Sequence, residues 1–138
     1  MSFFQWDPDV FGLDVPQMDD EHRELMSIMN ALHEANESGE SRATKLYICD
    51  QLLQYTRKHF ADEEAYMDQI EYHDRENHKE IHRNLLVKLD RQVDQYRDSN
   101  QEAISPDFFE FLKLWLSGHI KGVDKSYASH ATSKEKSA

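Results

Sequence analysis

"HFADEEAYMDQIEYHDRENHKEIH", residues 59–82, carries four of the chain's eight histidines and five glutamates. Its halves read as the end of one helix and the start of the next, with His73 in the turn between them. Residues four apart share a helix face, so His59 and Glu63 point the same way, as do His78 and His82. A tight turn would set these two pairs side by side. Whether they form half of a site depends on what the other helices bring to that end.

Working outward, the first of these helices begins after Ser41, an N-cap, and runs to about Gln69, with Leu46, Cys49, Leu52 or Leu53, Thr56, Phe60 and Met67 on its apolar face. The second begins after Asp74 and ends near Ser99, with Ile81, Leu85, Leu89 and Val93 inward. Upstream, a helix is expected from about Met18 to Glu37, its N-terminus favoured by Asp19, Asp20 and Glu21, its end marked by Gly39. Its stripe is Leu25, Ile28 or Met29, and Leu32. Downstream, Ser105 and Pro106 form an N-cap and first-turn pair, followed by Phe108, Phe111 or Leu112, Trp115 and Val123. Four amphipathic helices with short connections predict an all-α, antiparallel up-down-up-down four-helix bundle. Residues 1–17, with Asp7, Pro8, Gly12 and Pro16, read as an extended N-terminal arm whose aromatic residues pack over the bundle. The expected organisation is one domain over 1–138: the arm, the bundle over 18–128, and a frayed polar tail over 129–138.

Composition narrows the function. The 138 residues suffice for a core without disulfides, and the single cysteine, Cys49, permits no internal one. The start MSFFQWDPDV lacks the basic and apolar regions of a signal peptide, so the cytoplasm is the expected compartment. FFEFLKLWL is too short and too interrupted by charge to cross a bilayer. A net charge of -11 disfavours nucleic acid and anionic lipid as partners.

Helical register places the remaining candidates. His22 continues the buried stripe of the first helix, and His119 follows Trp115 by one turn, with Asp124 five residues further on. In an up-down-up-down bundle, His22, His59, Glu63, His78, His82, His119 and Asp124 reach one level within roughly two turns, ~11 Å. Burying five imidazoles and two carboxyl groups costs at least ~1 to 3 kcal/mol per unpaired group, and bound cations would offset this. One spacing is awkward: five residues at ~100° each leave His119 and Asp124 about 140° apart on a regular helix. Either a π-bulge near Gly122 turns both inward, which is the expectation, or Asp124 is only a surface residue near the helix end. His33, His73 and His130 lie at the wrong end, in a turn and in the tail, and read as ordinary histidines.

Seven nitrogen and oxygen ligands exceed what one tetrahedral zinc uses, so two metals fit better. HKEIH has Lys79 where the HExxH metalloprotease pattern needs its glutamate base. No histidine has a glutamate three residues before it, which excludes the Glu-x-x-His carboxylate di-iron bundles.

Together, His22, the HFADEE pair, the NHKEIH pair and the HIKGVD pair resemble the hemerythrin signature, specifically that of single-domain bacterial hemerythrins. The resemblance spans nearly the whole chain, including Trp6, the MDDEH entry to the first helix and Trp115. It departs at HDR, residues 73–75, where a proline would be expected. It implies two Fe ions bridged by Glu63, Asp124 and an oxo or hydroxo oxygen. One iron would take His78, His82 and His119; the other would take His22 and His59 and keep an open position for O2. The implied function is reversible O2 binding for transport, storage or delivery, not catalysis. Neighbours of the open position are expected to be Phe60, Trp115, Leu116 and Ile120, which offer bulk and no acid or base. Tyr127, one turn beyond Asp124, either touches the site or closes the bundle end, the second being favoured. The alternatives are a di-iron enzyme handling peroxide, O2 or NO, and a sensor of O2, redox state or iron. An oxygen-accepting partner protein is left open.

Overall fold

The computed structural model describes residues 3–137, with side chains described through residue 131. Its described residues contain six α-helices, one π-helical segment and no strand: α1 (Pro8–Phe11), α2 (Pro16–Glu37), α3 (Arg42–Gln69), α4 (Arg75–Asp98), α5 (Pro106–His119), the π segment (Ile120–Asp124) and α6 (Lys125–Ser137). The long rods are α2, α3, α4 and the continuous run from α5 to α6.

Contacts between neighbouring rods run antiparallel. Lys45 meets Asn36 while Lys58 meets Glu21, so α3 descends as α2 rises. Arg97 pairs with Asp50 and Arg57 with Asp90, fixing α4 against α3. The Trp115 indole N–H donates to the Leu85 carbonyl, tying α5 to α4 at 3.1 Å. The bundle is the up-down-up-down arrangement that the periodicity predicts.

The capping chemistry explains most boundaries. Ser41 Oγ accepts from the Thr44 amide at 3.1 Å, and Ser105 Oγ accepts from the Phe108 amide at 3.4 Å. Gly39 has φ 72, the left-handed conformation that a side chain would oppose. The α3–α4 turn closes without the expected proline: Glu71 takes φ 55 and the Tyr72 amide donates back to the Met67 carbonyl at 2.9 Å.

Three expectations need correction. α2 begins at Pro16, two residues before the expected Met18, because proline's fixed φ suits the first helical position. The arm is not wholly extended: Asp7 caps the single turn α1, its carboxylate accepting from the Asp9 amide at 3.0 Å. The last rod's backbone is helical through Ser137, past the expected start of the tail at residue 129; residues 1, 2 and 138 of the expected arm and tail lie outside the described residues. The arm packs as expected. Phe4 and Phe11 are buried, and Asn30 holds the Phe4 backbone at both ends, accepting from its amide at 2.7 Å and donating to its carbonyl at 2.8 Å.

The core divides around a polar layer. Met29, Leu32, Cys49, Leu52, Leu89, Val93, Phe108 and Leu112 fill one side, and Met18, Met67 and Tyr127 close the other. Ile81, expected inward, is only half-buried; the buried line of α4 is His78, His82, Leu89, Val93 and Tyr96. No helix among the described residues is long and apolar enough to cross a membrane.

Candidate metal centre

The polar layer holds all seven residues singled out by register. α2 supplies His22, α3 supplies His59 and Glu63, α4 supplies His78 and His82, and the last rod supplies His119 and Asp124. The π segment Ile120–Asp124 accommodates the five-residue spacing: its wider turn takes up the extra residue and lets both side chains face inward.

The seven sort into two overlapping groups. Glu63, His78, His82, His119 and Asp124 form one, and His22, His59, Glu63 and Asp124 the other; within each, the potential ligand atoms lie within 4.8 Å of one another. Asp124 divides its oxygens between the groups, whereas Glu63 Oε1 faces members of both. Asp124 sets Oδ1 3.1 Å from His78 Nε2 and 2.9 Å from His119 Nε2, and Oδ2 3.1 Å from His22 Nε2. Glu63 sets Oε1 3.1 Å from His82 Nε2 and Oε2 3.5 Å from His22 Nε2, while His59 Nε2 is 3.5 Å from Oε1.

Most of these atoms are close without being hydrogen-bonded. Nine buried side-chain atoms lack a hydrogen-bond partner among the described residues, and every one belongs to this cluster: both nitrogens of His22 and His78, His59 Nε2, His119 Nδ1, Glu63 Oε1 and both oxygens of Asp124. At ~1 to 3 kcal/mol each, such a deficit rivals the ~5 to 15 kcal/mol that stabilises a whole domain. Cations at the two convergence points would satisfy the facing nitrogens and oxygens together. The donor set fits: neutral imidazole and carboxylate suit iron, and neither group has the thiolates of a structural zinc site.

The protonation pattern supports the same reading. Burial opposes charge on Glu63, but the surrounding His59, His119, His22 and His82 hold its carboxyl well below the usual range. Asp124 is likewise lowered: burial and Glu63 push it up, and His119 and His22 prevail. Burial pulls His22 and His119 down, yet the two carboxylates raise them to about 9 and about 10 respectively. Without metal, protons on these imidazoles balance the buried carboxylates; a bound cation takes over that task.

Two residues that shape the site were not identified by register. Glu21 Oε1 lies 2.7 Å from His59 Nδ1, and Glu64 Oε2 lies 2.9 Å from His82 Nδ1. Each carboxylate accepts from Nδ1–H, fixing the tautomer that presents the Nε2 lone pair to the site. With its Nδ1–H committed to Glu64, His82 has its Nε2 lone pair free to accept from His119 Nε2, 3.2 Å away. Despite burial, hydrogen bonds from His59 and Gln17 hold Glu21 down at about 2. The only sequence signal was adjacency, Glu21 beside His22 and Glu64 beside Glu63. Of the two alternatives for Tyr127, the less favoured holds: it touches the site, its hydroxyl donating to Glu63 Oε2 at 2.7 Å. Burial, Glu63 and Asp124 push its phenol well above the ordinary range.

The expected apolar neighbours are all buried. Phe60 stacks on His82 with ring centroids 3.9 Å apart and lies 5.9 Å from His59 and 6.0 Å from Trp115. Leu116 and Ile120 sit on the same rod as His119, almost fully enclosed. The other three histidines stand apart. His33 stacks on Phe3, His73 is exposed beside Tyr72, and His130 Nε2 approaches the Ile70 carbonyl at 3.2 Å.

Residues 13–131 match the hemerythrin HHE cation binding domain. The chain belongs to the hemerythrin family. The matched region contains all seven cluster residues and leaves out only the first part of the arm and the last residues. A bacteriohemerythrin of Stenotrophomonas maltophilia is 34% identical over 131 residues, covering 93% of this chain and 81% of the relative. One from Methylococcus capsulatus is 30% identical, covering 92% and 95%. A myohemerythrin of Theromyzon tessulatum is 27% identical over 90% of each. The crystal structure of a wild-type hemerythrin superposes with a TM-score of 0.81 at 29% identity, covering 91% of this chain and 95% of that one. The bundle is therefore one that a solved hemerythrin shares.

Proposed function

We propose that this chain binds O2 reversibly at a non-haem di-iron centre, in oxygen transport, storage or delivery. The observation that carries the reading is the joining of two buried ligand groups through the same two carboxylates, with three imidazoles on one side and two on the other. His78, His82 and His119 would hold one iron, His22 and His59 the other, and Glu63 and Asp124 would serve both. The smaller group has one ligand fewer and so leaves room for a small exogenous molecule. When bound, a ferrous pair would supply the electrons that hold O2.

The chain's own groups do the rest. Glu21 and Glu64 hold His59 and His82 in the tautomer that turns Nε2 toward the site. The Tyr127 hydroxyl orients Glu63 through Oε2. Phe60, Trp115, Leu116 and Ile120 are buried, with Phe60 stacked on His82 and beside His59 and Trp115; lining the open position, they would exclude water and offer no proton donor or acceptor that titrates near neutral pH. Such a lining suits a binder, because escape of a charged, reduced oxygen species from a dry pocket is unfavourable.

The test is anaerobic reconstitution with ferrous iron, metal analysis, and absorbance spectroscopy through repeated cycles of O2 exposure and purging. Two irons per chain and a band that appears and disappears with O2 are expected. One iron per chain, or a single irreversible oxidation that consumes peroxide, would overturn the proposal.

A further inference from the structure

All seven cluster residues are buried, so a cation can enter or leave only when part of the surrounding wall opens. Local opening is drawn from the least stable segments of a fold. Three independent features single out one such segment, on the last rod.

The first is glycine. α2, α3 and α4 contain none, whereas Gly118 and Gly122 bracket His119. Glycine weakens a helix through its backbone freedom, and nothing here compels its use. Neither residue has a positive φ, and a Cβ placed on either would meet no atom within 4 Å. The second is the π segment itself, a rare geometry confined to Ile120–Asp124 among the described residues. The third is His119, the most exposed of the seven at 5%, whose Nδ1 has no hydrogen-bond partner. His59 and His82 are tethered by carboxylates at that atom. His22 and His78 also lack a partner at Nδ1, but they sit on unbroken, glycine-free α-helices.

We propose that residues 118–124 form the loading door of the metal centre. The segment opens locally, carrying His119 and Asp124 away from the ligands on the other three rods, and the two glycines set how often it does so. One motion is enough for both groups, because Asp124 belongs to each of them. This inference rests on the reading of the cluster as a metal centre.

The test compares the wild-type chain with Gly118→Ala, Gly122→Ala and the double variant, using Co2+ alone as the probe. Uptake is followed by stopped-flow absorbance, release by an excess of chelator, and affinity by equilibrium titration; amide hydrogen exchange is measured on the metal-free chains. Each substitution should make opening ~2- to 5-fold rarer, and both together ~4- to 25-fold. Uptake and release should slow by the same factor, leaving the dissociation constant unchanged, and exchange should slow only around residues 118–125. Unchanged rates alongside slower exchange would show that the segment opens but is not the route, and would overturn the proposal. So would unchanged exchange, or slowing of release alone. A wild-type chain that takes up no Co2+ would remove the metal-centre reading, and the door with it.

Discussion

Tyr127→Phe removes one oxygen atom and tests how the cluster is supported. The Tyr127 side chain is fully buried, and its hydroxyl donates at 2.7 Å to Glu63 Oε2, a carboxylate held in its charged form. A hydrogen bond to a charged group contributes ~1.5 to 3 kcal/mol, and removing the donor leaves the oxygen buried without it. Phenylalanine fills nearly the same volume, so no sizeable cavity adds to the loss. The metal-free variant should therefore be destabilised by ~2 kcal/mol, which at a urea dependence of ~2 kcal/mol per molar lowers the midpoint by ~1 M. In the metal-loaded protein the cation is a further partner for Glu63, and the loss should shrink. Urea unfolding followed by circular dichroism, with and without Co2+, measures both. Equal losses in the two forms, or a metal-free midpoint within ~0.2 M of wild type, would refute the argument.

Other perturbations probe the remaining contacts. Glu21→Ala frees the His59 ring and should weaken Co2+ binding ~10- to 100-fold, with Glu21→Gln recovering part of the loss because its amide oxygen still accepts from Nδ1–H; an unchanged titration for Glu21→Ala would rule out the anchoring role. Deleting Gly122 shortens the spacing from His119 to the aspartate to four residues, ~40° apart on a regular helix, so the π segment should vanish while metal capacity survives; loss of capacity would contradict the geometric account. The metal-free chain should also respond to pH with a defined sign. His22 and His119 are raised from 6.5 to about 9 and about 10, so their contribution is full below 6.5 and is lost as pH climbs through 9 to 10. The lowered Glu63 and Asp124 contribute above the ordinary carboxylate range and lose that contribution as acid titrates them. A cation competes with the imidazole protons, so Co2+ affinity should rise from pH 6.5 toward 9. A pH-independent affinity across that window would count against the proton-for-metal exchange.

The seven cluster residues and the rods that carry them were legible in the sequence because both follow from local geometry. Helical period assigns each side chain to a face, and short connections assign each rod its direction, so His22, His59, Glu63, His78, His82, His119 and Asp124 had to meet at one level. The π segment was legible for the opposite reason: a five-residue spacing cannot face inward on a regular helix, so one departure from regularity was required. Only the tertiary structure decided how the site is buttressed. Glu21 and Glu64 each stand one residue from an inward-facing position, where periodicity points a side chain sideways. Whether such a side chain meets solvent or a neighbouring imidazole depends on how closely the next rod approaches, and that distance comes from packing across the bundle. Tyr127 is a case of the same kind, since its register put it at the closed end while the reach of its hydroxyl to Glu63 depended on where α3 lay.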